Sequence, residues 1–192
     1  MMNKILLASA SPRRHQLLSW AEINFEVIVM DTDESYPSLM DIQSVPEHIA
    51  KNKAIAVQQQ GYHDRIIIAA DTIVVIDQQI IGKPANREAA IHTLQQLSGR
   101  RHQVVTGVVI MKQDRILSFS DTTKVAFHSL TLEQIEYYVD HYKPYDKAGA
   151  YAIQEWIGVV GISAIEGDFY NVMGLPVSRV VQALQTFIGS NP

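Results

Sequence analysis

Ser9-Ala10-Ser11-Pro12-Arg13-Arg14 places two hydroxyls and two guanidiniums on one short stretch. Ser11-Pro12 reads as a helix N-cap followed by the first helical residue. Unpaired N–H groups and the positive end of the helix dipole gather at such a start. Arg13 and Arg14 are suited to bidentate contact with phosphate oxygens, and Ser9 adds a hydroxyl donor. The segment makes an anion site without a glycine loop; its plainer meaning is a capped helix with two solvated arginines. Asp31-Thr32-Asp33-Glu34 is either a carboxylate cluster for Mg²⁺, completed by phosphate and water, or a solvated acidic loop. Asp71 interrupts the apolar run Ala69-Ala70-Asp71-Thr72-Ile73-Val74-Val75, where a buried carboxylate needs partners. It suits a general base, a metal ligand or a strand-end aspartate satisfied by backbone N–H groups.

Two lysines extend the set. Gly82-Lys83-Pro84 is no Walker loop, because that motif needs Ser or Thr after the Lys and an upstream Gly, but Lys83 on such a turn can still reach a phosphate. Lys53 lies between Ala50 and Ala54, where it either lays its stem along apolar surface or points into an anion site. Gln154 closes Asp146-Lys147-Ala148-Gly149-Ala150-Tyr151-Ala152-Ile153-Gln154, and its amide suits either the edge of a base or a structural hydrogen bond. Metal-ligand His pairs, a nucleophile elbow and a dinucleotide-binding glycine motif are all missing.

The elements that must hold these residues alternate. Short strands are expected at Lys4 to Ala8, Phe25 to Val29 and Arg65 to Ala70, the last continuing extended through Ile76. Helices are expected from Ser11-Pro12, from Pro46 to about Gln60, and from about Asn86 to Ser98-Gly99. His102 to Met111 and Arg115 to His128 read as paired strands. Thr131-Leu132-Glu133-Gln134 is a capping box whose helix carries Ile135, Tyr138, Val139 and Tyr142 inside. Tyr137, Tyr138 and Tyr142 read as core rather than as a stacking platform. Gly158 to Val172 reads as strand and turn, and a last helix follows Pro176 with Val177, Val180, Val181, Leu184 and Ile188 as its stripe. The order predicts an α/β protein with a mixed sheet and helices on it.

Composition bounds the rest. The 192 residues suit one domain, 1–192, with a two-lobed form open to it. Hydrophobic residues at 47% against 19% charged argue for a packed protein and against disorder. The net charge of −4 disfavours a nucleic-acid partner, and no apolar run approaches the ~20 residues of a membrane helix. With no Cys there are no disulfides, thiolate nucleophiles or Zn–Cys sites. The start of the chain carries no signal-peptide pattern, so a cytoplasmic protein is expected.

In order, Ser9 to Arg14, Glu34 after an acidic pair, Lys53-Ala54, Ala70-Asp71-Thr72, Gly82-Lys83-Pro84, Ser98-Gly99 with His102 and Thr106, Asp146 to Gln154, and Asn171 to Pro176 resemble the Maf family of nucleoside triphosphate pyrophosphatases. The resemblance covers nearly the whole chain. It implies an inosine-triphosphatase-like fold, an elongated mixed β-sheet flanked by helices, with two lobes and a central cleft. It implies hydrolysis of a nucleoside triphosphate to monophosphate and pyrophosphate with a divalent cation (Mg²⁺ or Mn²⁺), and a homodimer. Asp71 matches the proton acceptor; Arg13, Thr72 and Gln154 match positions of the branch that prefers dTTP and UTP, and modified pyrimidine triphosphates fall within the same house-cleaning role. The other main branch prefers 7-methyl-GTP. On this basis Asp71, Lys53 and Lys83 are the expected catalytic residues. Ser9, Arg13, Arg14, Thr72 and Gln154 are the expected substrate contacts, and Glu34 and Asp71 the metal ligands. One departure stands out: Glu155-Trp156 follows Gln154 where the family usually has a small residue. That pair is expected to alter base selection or to close one rim of the cleft. It leaves room for a second class, a nucleotide-binding regulator of cell division or septum formation with little catalysis.

Overall fold

The computed structural model describes residues 4–189. Its elements alternate as the hydrophobic pattern demands. Strand β1 (Ile5–Ala8) leads into helix α1 (Pro12–Trp20), followed by β2 (Phe25–Val27) and α2 (Val45–Gln59). Then come β3 (Ile67–Ile76), β4 (Gln79–Ile81), α3 (Arg87–Leu97), β5 (Arg101–Lys112) and β6 (Arg115–Phe127). The chain closes with α4 (Leu132–Tyr142), α5 (Trp156–Gly161), β7 (Ile162–Glu166), α6 (Phe169–Met173) and α7 (Val177–Gly189). The sheet is mixed. Its order is β2-β1-β3-β5-β6-β7, with β4 paired to β3. β1 runs parallel to both β2 and β3, whereas β4 and β7 pair antiparallel. Among the described residues no helix is long and apolar enough to cross a membrane.

The chain forms two compact units, and the first of the points where it passes from one to the other is the Asp71–Thr72 peptide inside β3. Among the described residues, the first unit comprises 4–71, 106–121 and 174–189. Its core sets Ala50, Ala54 and Val57 of α2 against Leu6 and Ala8 of β1, Ile67 and Ala69 of β3, and Val109 and Met111 of β5. The small alanines let the helix sit close to the strands, and the β-branched residues fill the pleated surface. Gly107 of β5 serves the same approach. A Cβ there would stand 2.1 Å from the Glu47 nitrogen and 2.4 Å from the Pro46 carbonyl carbon, so the first turn of α2 lies on bare backbone.

The second unit comprises residues 72–105 and 122–173. Its α4 opens with the expected capping box: the Thr131 hydroxyl accepts from Gln134 N–H, and the Gln134 side chain accepts from Thr131 N–H. Inside it, His102, Phe127 and Tyr151 pack as a ring cluster. His102 is 3% exposed, its Nε2 lies 2.7 Å from the Tyr151 hydroxyl, and its Nδ1 has no partner. Burial pushes the imidazole pKa down to about 4 and holds the Tyr151 phenol well above its ordinary value.

Three expectations need correction. Gly158 to Val172 is not strand and turn alone, because α5 and α6 flank the short β7. Two glycines in the six residues of α5 hide it from a propensity reading. Tyr138 is fully buried, but Tyr137 and Tyr142 are exposed, so the aromatic stripe of α4 is core at one position only. In α7 the buried set is Val180, Leu184 and Phe187, with Ile188 exposed.

The Gly107→Ala substitution is expected to destabilise the fold by about 2 kcal/mol or more, since backbone rather than a flexible side chain must yield. An unchanged thermal midpoint would contradict this packing. For His102 the sign is set by the unfolded chain, which takes up a proton near pH 6.5 while the folded protein resists down to about 4. Stability should therefore fall between those values as pH drops, by on the order of 3 kcal/mol. Urea denaturation at both ends of that window should show His102→Gln losing most of the pH dependence; an identical slope in the variant would refute the assignment.

Candidate functional site

The first unit assembles its polar residues where the parallel pairing of β1 with β3 ends. β1 and β3 pair up to Ala8 and Ala69, and just past those ends come Ser9 and Asp71. The carboxyl ends of parallel strands are where open α/β sheets place ligands. Along β3 the side chains are buried except at Asp71 and Thr72, the two half-buried positions in the middle of the strand. Lys53 of α2 reaches this point. Its ammonium lies 2.7 Å from Asp71 Oδ1 and 2.7 Å from Glu34 Oε1. Lys53 and Asp71 have side chains only 17% and 15% exposed, whereas Glu34 is 53% exposed. The Lys53–Asp71 pair is thus shielded from solvent, and the acidic loop closes over it from the wet side. The neighbours of Lys53, Ala50 and Ala54, are buried, and its ammonium turns to the two carboxylates.

Arg14 and Ser9 form the adjoining layer. Arg14 is buried; its Nε donates to the Gly174 carbonyl at 2.7 Å, and its Nη1 donates to the Ala70 carbonyl at 2.8 Å and to Ser9 Oγ at 3.1 Å. Burial lowers its pKa, while Asp71 and Glu34 act in the opposite direction. Ser9 Oγ also accepts from Ser11 N–H at 3.3 Å, so the hydroxyl is used twice as an acceptor and its hydrogen is left to donate. Ser11 occupies the N-cap of α1 with extended backbone but makes no side-chain cap, and Pro12 follows in the first turn as expected. Arg14 is expected to touch substrate; its geometry also makes it a strut on the carbonyl of the residue before Asp71. The helical spacing held the signal: Arg14 stands three and four residues before Leu17 and Leu18, both buried. Arg13, one residue earlier, is half-buried on the same turn.

The second unit carries Thr72, Lys83 and Gln154. Lys83 is exposed on the turn after β4, where the Gly82 carbonyl accepts from Gly149 N–H at 3.3 Å. Gly149 has φ 71°, and a Cβ on it would stand 2.9 Å from Val74 Cγ2. Only glycine fits that left-handed position against β3. Gln154 ends no strand: it is exposed on a turn closed by Glu155 N–H donating to the Ala152 carbonyl at 3.1 Å. Glu155 and Trp156, expected at a cleft rim, are engaged within this unit. The Glu155 carboxylate accepts from the Tyr138 hydroxyl, and Trp156 packs on Tyr137 with ring centroids 4.9 Å apart. Tyr138 reads from the sequence as core alone; a tyrosine buried on α4 also needs a hydrogen-bond partner for its hydroxyl, which is the signal for its link to Glu155.

Ser9, Arg14, Glu34, Lys53 and Asp71 thus come together in the first unit, with Arg13 beside Arg14, while Thr72, Lys83 and Gln154 belong to the second. Among the described residues no group of three or more His, Cys, Asp or Glu could hold a metal by itself. Glu34 and Asp71 supply two carboxylates held on one cation, which fits a Mg²⁺-type ion that takes its remaining oxygens from phosphate and water.

The family profile described as Maf-like protein matches residues 4–187. A dTTP/UTP pyrophosphatase of Parabacteroides distasonis is 52% identical over 185 residues, covering 96% of each chain. One of Porphyromonas gingivalis is 49% identical over 191 residues, covering 98% of this chain and 96% of its own. Among solved structures, the Ham1 protein of Staphylococcus aureus aligns with a TM-score of 0.48 at 18% identity, over 65% of this chain and 72% of its own.

Arg14→Lys should lower stability by roughly 2 kcal/mol, because one ammonium cannot serve acceptors on Gly174, Ala70 and Ser9 at once. Thermal unfolding reads the effect; a variant as stable as the parent would return Arg14 to the role of a substrate contact.

Proposed function

The chain belongs to the Maf family, and from that premise we propose that it hydrolyses dTTP and UTP to the monophosphate and pyrophosphate, as a house-cleaning enzyme. The observation that carries the reading is the Lys53 ammonium held between Glu34 and Asp71. The names of the relatives support the substrate class.

Water attacks the α-phosphorus, the bond from that phosphorus to the bridging oxygen breaks, and pyrophosphate departs with the electron pair. Asp71 is assigned to take the proton of the attacking water. Lys53 occupies its Oδ1, which leaves Oδ2 for water. Glu34 and Asp71 would hold a divalent cation, Mg²⁺ or Mn²⁺, which when bound neutralises phosphate charge. Ser9 donates its hydroxyl hydrogen to a phosphate oxygen, and the start of α1 adds backbone donors. Arg13 and Lys83 are assigned to the phosphates, Thr72 and Gln154 to the pyrimidine. Arg14 acts at one remove, through the Ala70 carbonyl. The protein's share of the catalysis is position and electrostatics. A cytoplasmic homodimer completes the proposal.

The regulator reading drew its support from Glu155-Trp156. Both side chains are engaged within the second unit, so the pair gives no reason for lost catalysis.

Hydrolysis of a nucleotide panel in ¹⁸O-water tests the reading: dTTP and UTP should lead, with the label in the monophosphate. Asp71→Asn should lower turnover by roughly a hundredfold or more in a protein that circular dichroism shows still folded. Saturable nucleotide binding without product would favour the regulator, a 7-methyl-GTP preference would move the chain to the other branch, and label in pyrophosphate would overturn attack at the α-phosphorus.

A further inference from the structure

Gln154 is the one exposed residue in a buried run. Gly149 through Ile153 are all buried, and the turn then presents Gln154 to solvent. An amide on an exposed turn selects a base only if the turn is held still. What holds it is a chain of polar groups that closes around the segment. Lys147, at the start, is a buried lysine with a side chain 9% exposed. Its ammonium lies 2.7 Å from Asp146 Oδ1 and 3.6 Å from Glu155 Oε1. Asp146 is 60% exposed, whereas Glu155 is 23% exposed, so Glu155 is the more shielded counter-charge. The Glu155 carboxylate accepts from the Tyr138 hydroxyl of α4, and that hydroxyl accepts from Ala152 N–H at 3.2 Å. Both sides of Gln154 are therefore tied to one buried phenol: Ala152 by its N–H and Glu155 by its side chain. Below the turn, the first residues of α5 press on the segment. A Cβ on Gly158 would stand 1.8 Å from the Ile153 carbonyl oxygen. Gly158 N–H and Val159 N–H donate to the Glu155 carbonyl at 2.9 and 3.3 Å, anchoring the turn to the helix.

We propose that Glu155, acting through Tyr138 and Lys147, is a positioning residue that fixes the Gln154 turn and thereby the discrimination between bases. The proposal rests on the reading of Gln154 as the base contact. It turns the departure at position 155 from an obstruction into a clamp: a small residue there leaves both the Tyr138 hydroxyl and the Lys147 ammonium without this partner. Glu155 touches no reacting atom, so its loss shows in how well the pyrimidine is held rather than in the chemical step.

The test is steady-state kinetics on dTTP, UTP and a purine triphosphate for Tyr138→Phe, Glu155→Ala, Glu155→Gln and the Tyr138→Phe/Glu155→Ala double variant, with thermal midpoints recorded for each. Tyr138→Phe keeps the ring and removes only the hydroxyl. Losing a charge-assisted hydrogen bond predicts a KM for dTTP roughly tenfold higher, with kcat within about twofold and the pyrimidine preference reduced to match. The double variant should be no worse than either single one, because both break the same link. Glu155→Gln, which still accepts from Tyr138, should recover most of the preference. Gln154→Ala separates the two layers of the argument. If it leaves base preference intact, the base-contact reading fails; if it abolishes the preference while Tyr138→Phe and Glu155→Ala keep it, the clamp alone is overturned. Equal loss of kcat on every nucleotide, in step with a lowered thermal midpoint, would also overturn the clamp and reduce Glu155 to a stabilising residue.

Discussion

A single ammonium group holds two carboxylates, Glu34 and Asp71, in place. Asp71 lies near the middle of a strand whose other side chains are almost all buried, and Glu34 lies on an exposed acidic loop. Without a cation between them, two carboxylates at this distance repel, and the exposed one swings into water. Lys53 settles the matter because α2 delivers it from a face packed on the sheet through Ala50, Ala54 and Val57. The helix in turn reaches the sheet only because Gly107 has no side chain. A glycine in one strand, two alanines on a helix and a lysine between them form one chain of cause. The Asp71 carboxylate is held by Lys53 at 2.7 Å, which is the kind of fixed placement that electrostatic preorganisation requires.

Arg14 extends the same logic to the backbone. A guanidinium is well suited to a buried strut, since it donates in a fixed fork to several acceptors. By gripping the Ala70 carbonyl it sets the peptide that precedes Asp71, and by gripping Ser9 Oγ it orients the hydroxyl toward donation. The two adjacent arginines therefore differ in setting: Arg14 is buried against backbone carbonyls and Arg13 is half-buried. The second unit solves a parallel problem with other chemistry. There an exposed glutamine is steadied by a buried tyrosine, a carboxylate and a buried lysine.

Much of this was legible in the residue order. β3 announced itself through its β-branched run, and the aspartate within it was marked by the cost of burying a carboxylate. The capping box fixed the start of α4 to the residue. Side-chain partners were harder to read. Whether Lys53 lay along the surface or turned to an ion depended on which strand α2 packs against, a contact between residues far apart in sequence. Arg13 and Arg14 are the same residue type side by side, and only the helical phase against Leu17 and Leu18 separates them. Glu155 looked like an obstruction because its neighbour in sequence is Gln154, yet its neighbour in space is Tyr138, seventeen residues earlier. Helix α5 escaped because its glycines are there for close packing on Ile153 and Phe127, a tertiary need that local propensity does not encode.

The coupling between Lys53 and Asp71 is best measured by a double-mutant cycle on stability, using Lys53→Met, Asp71→Asn and the pair together. Both side chains are largely shielded, so the interaction should exceed that of an exposed ion pair: a coupling of about 1 kcal/mol or more is expected, with the double variant more stable than the sum of the single losses allows. Strictly additive losses would mean that the ammonium does not hold the aspartate, and the account of how this site is assembled would fail.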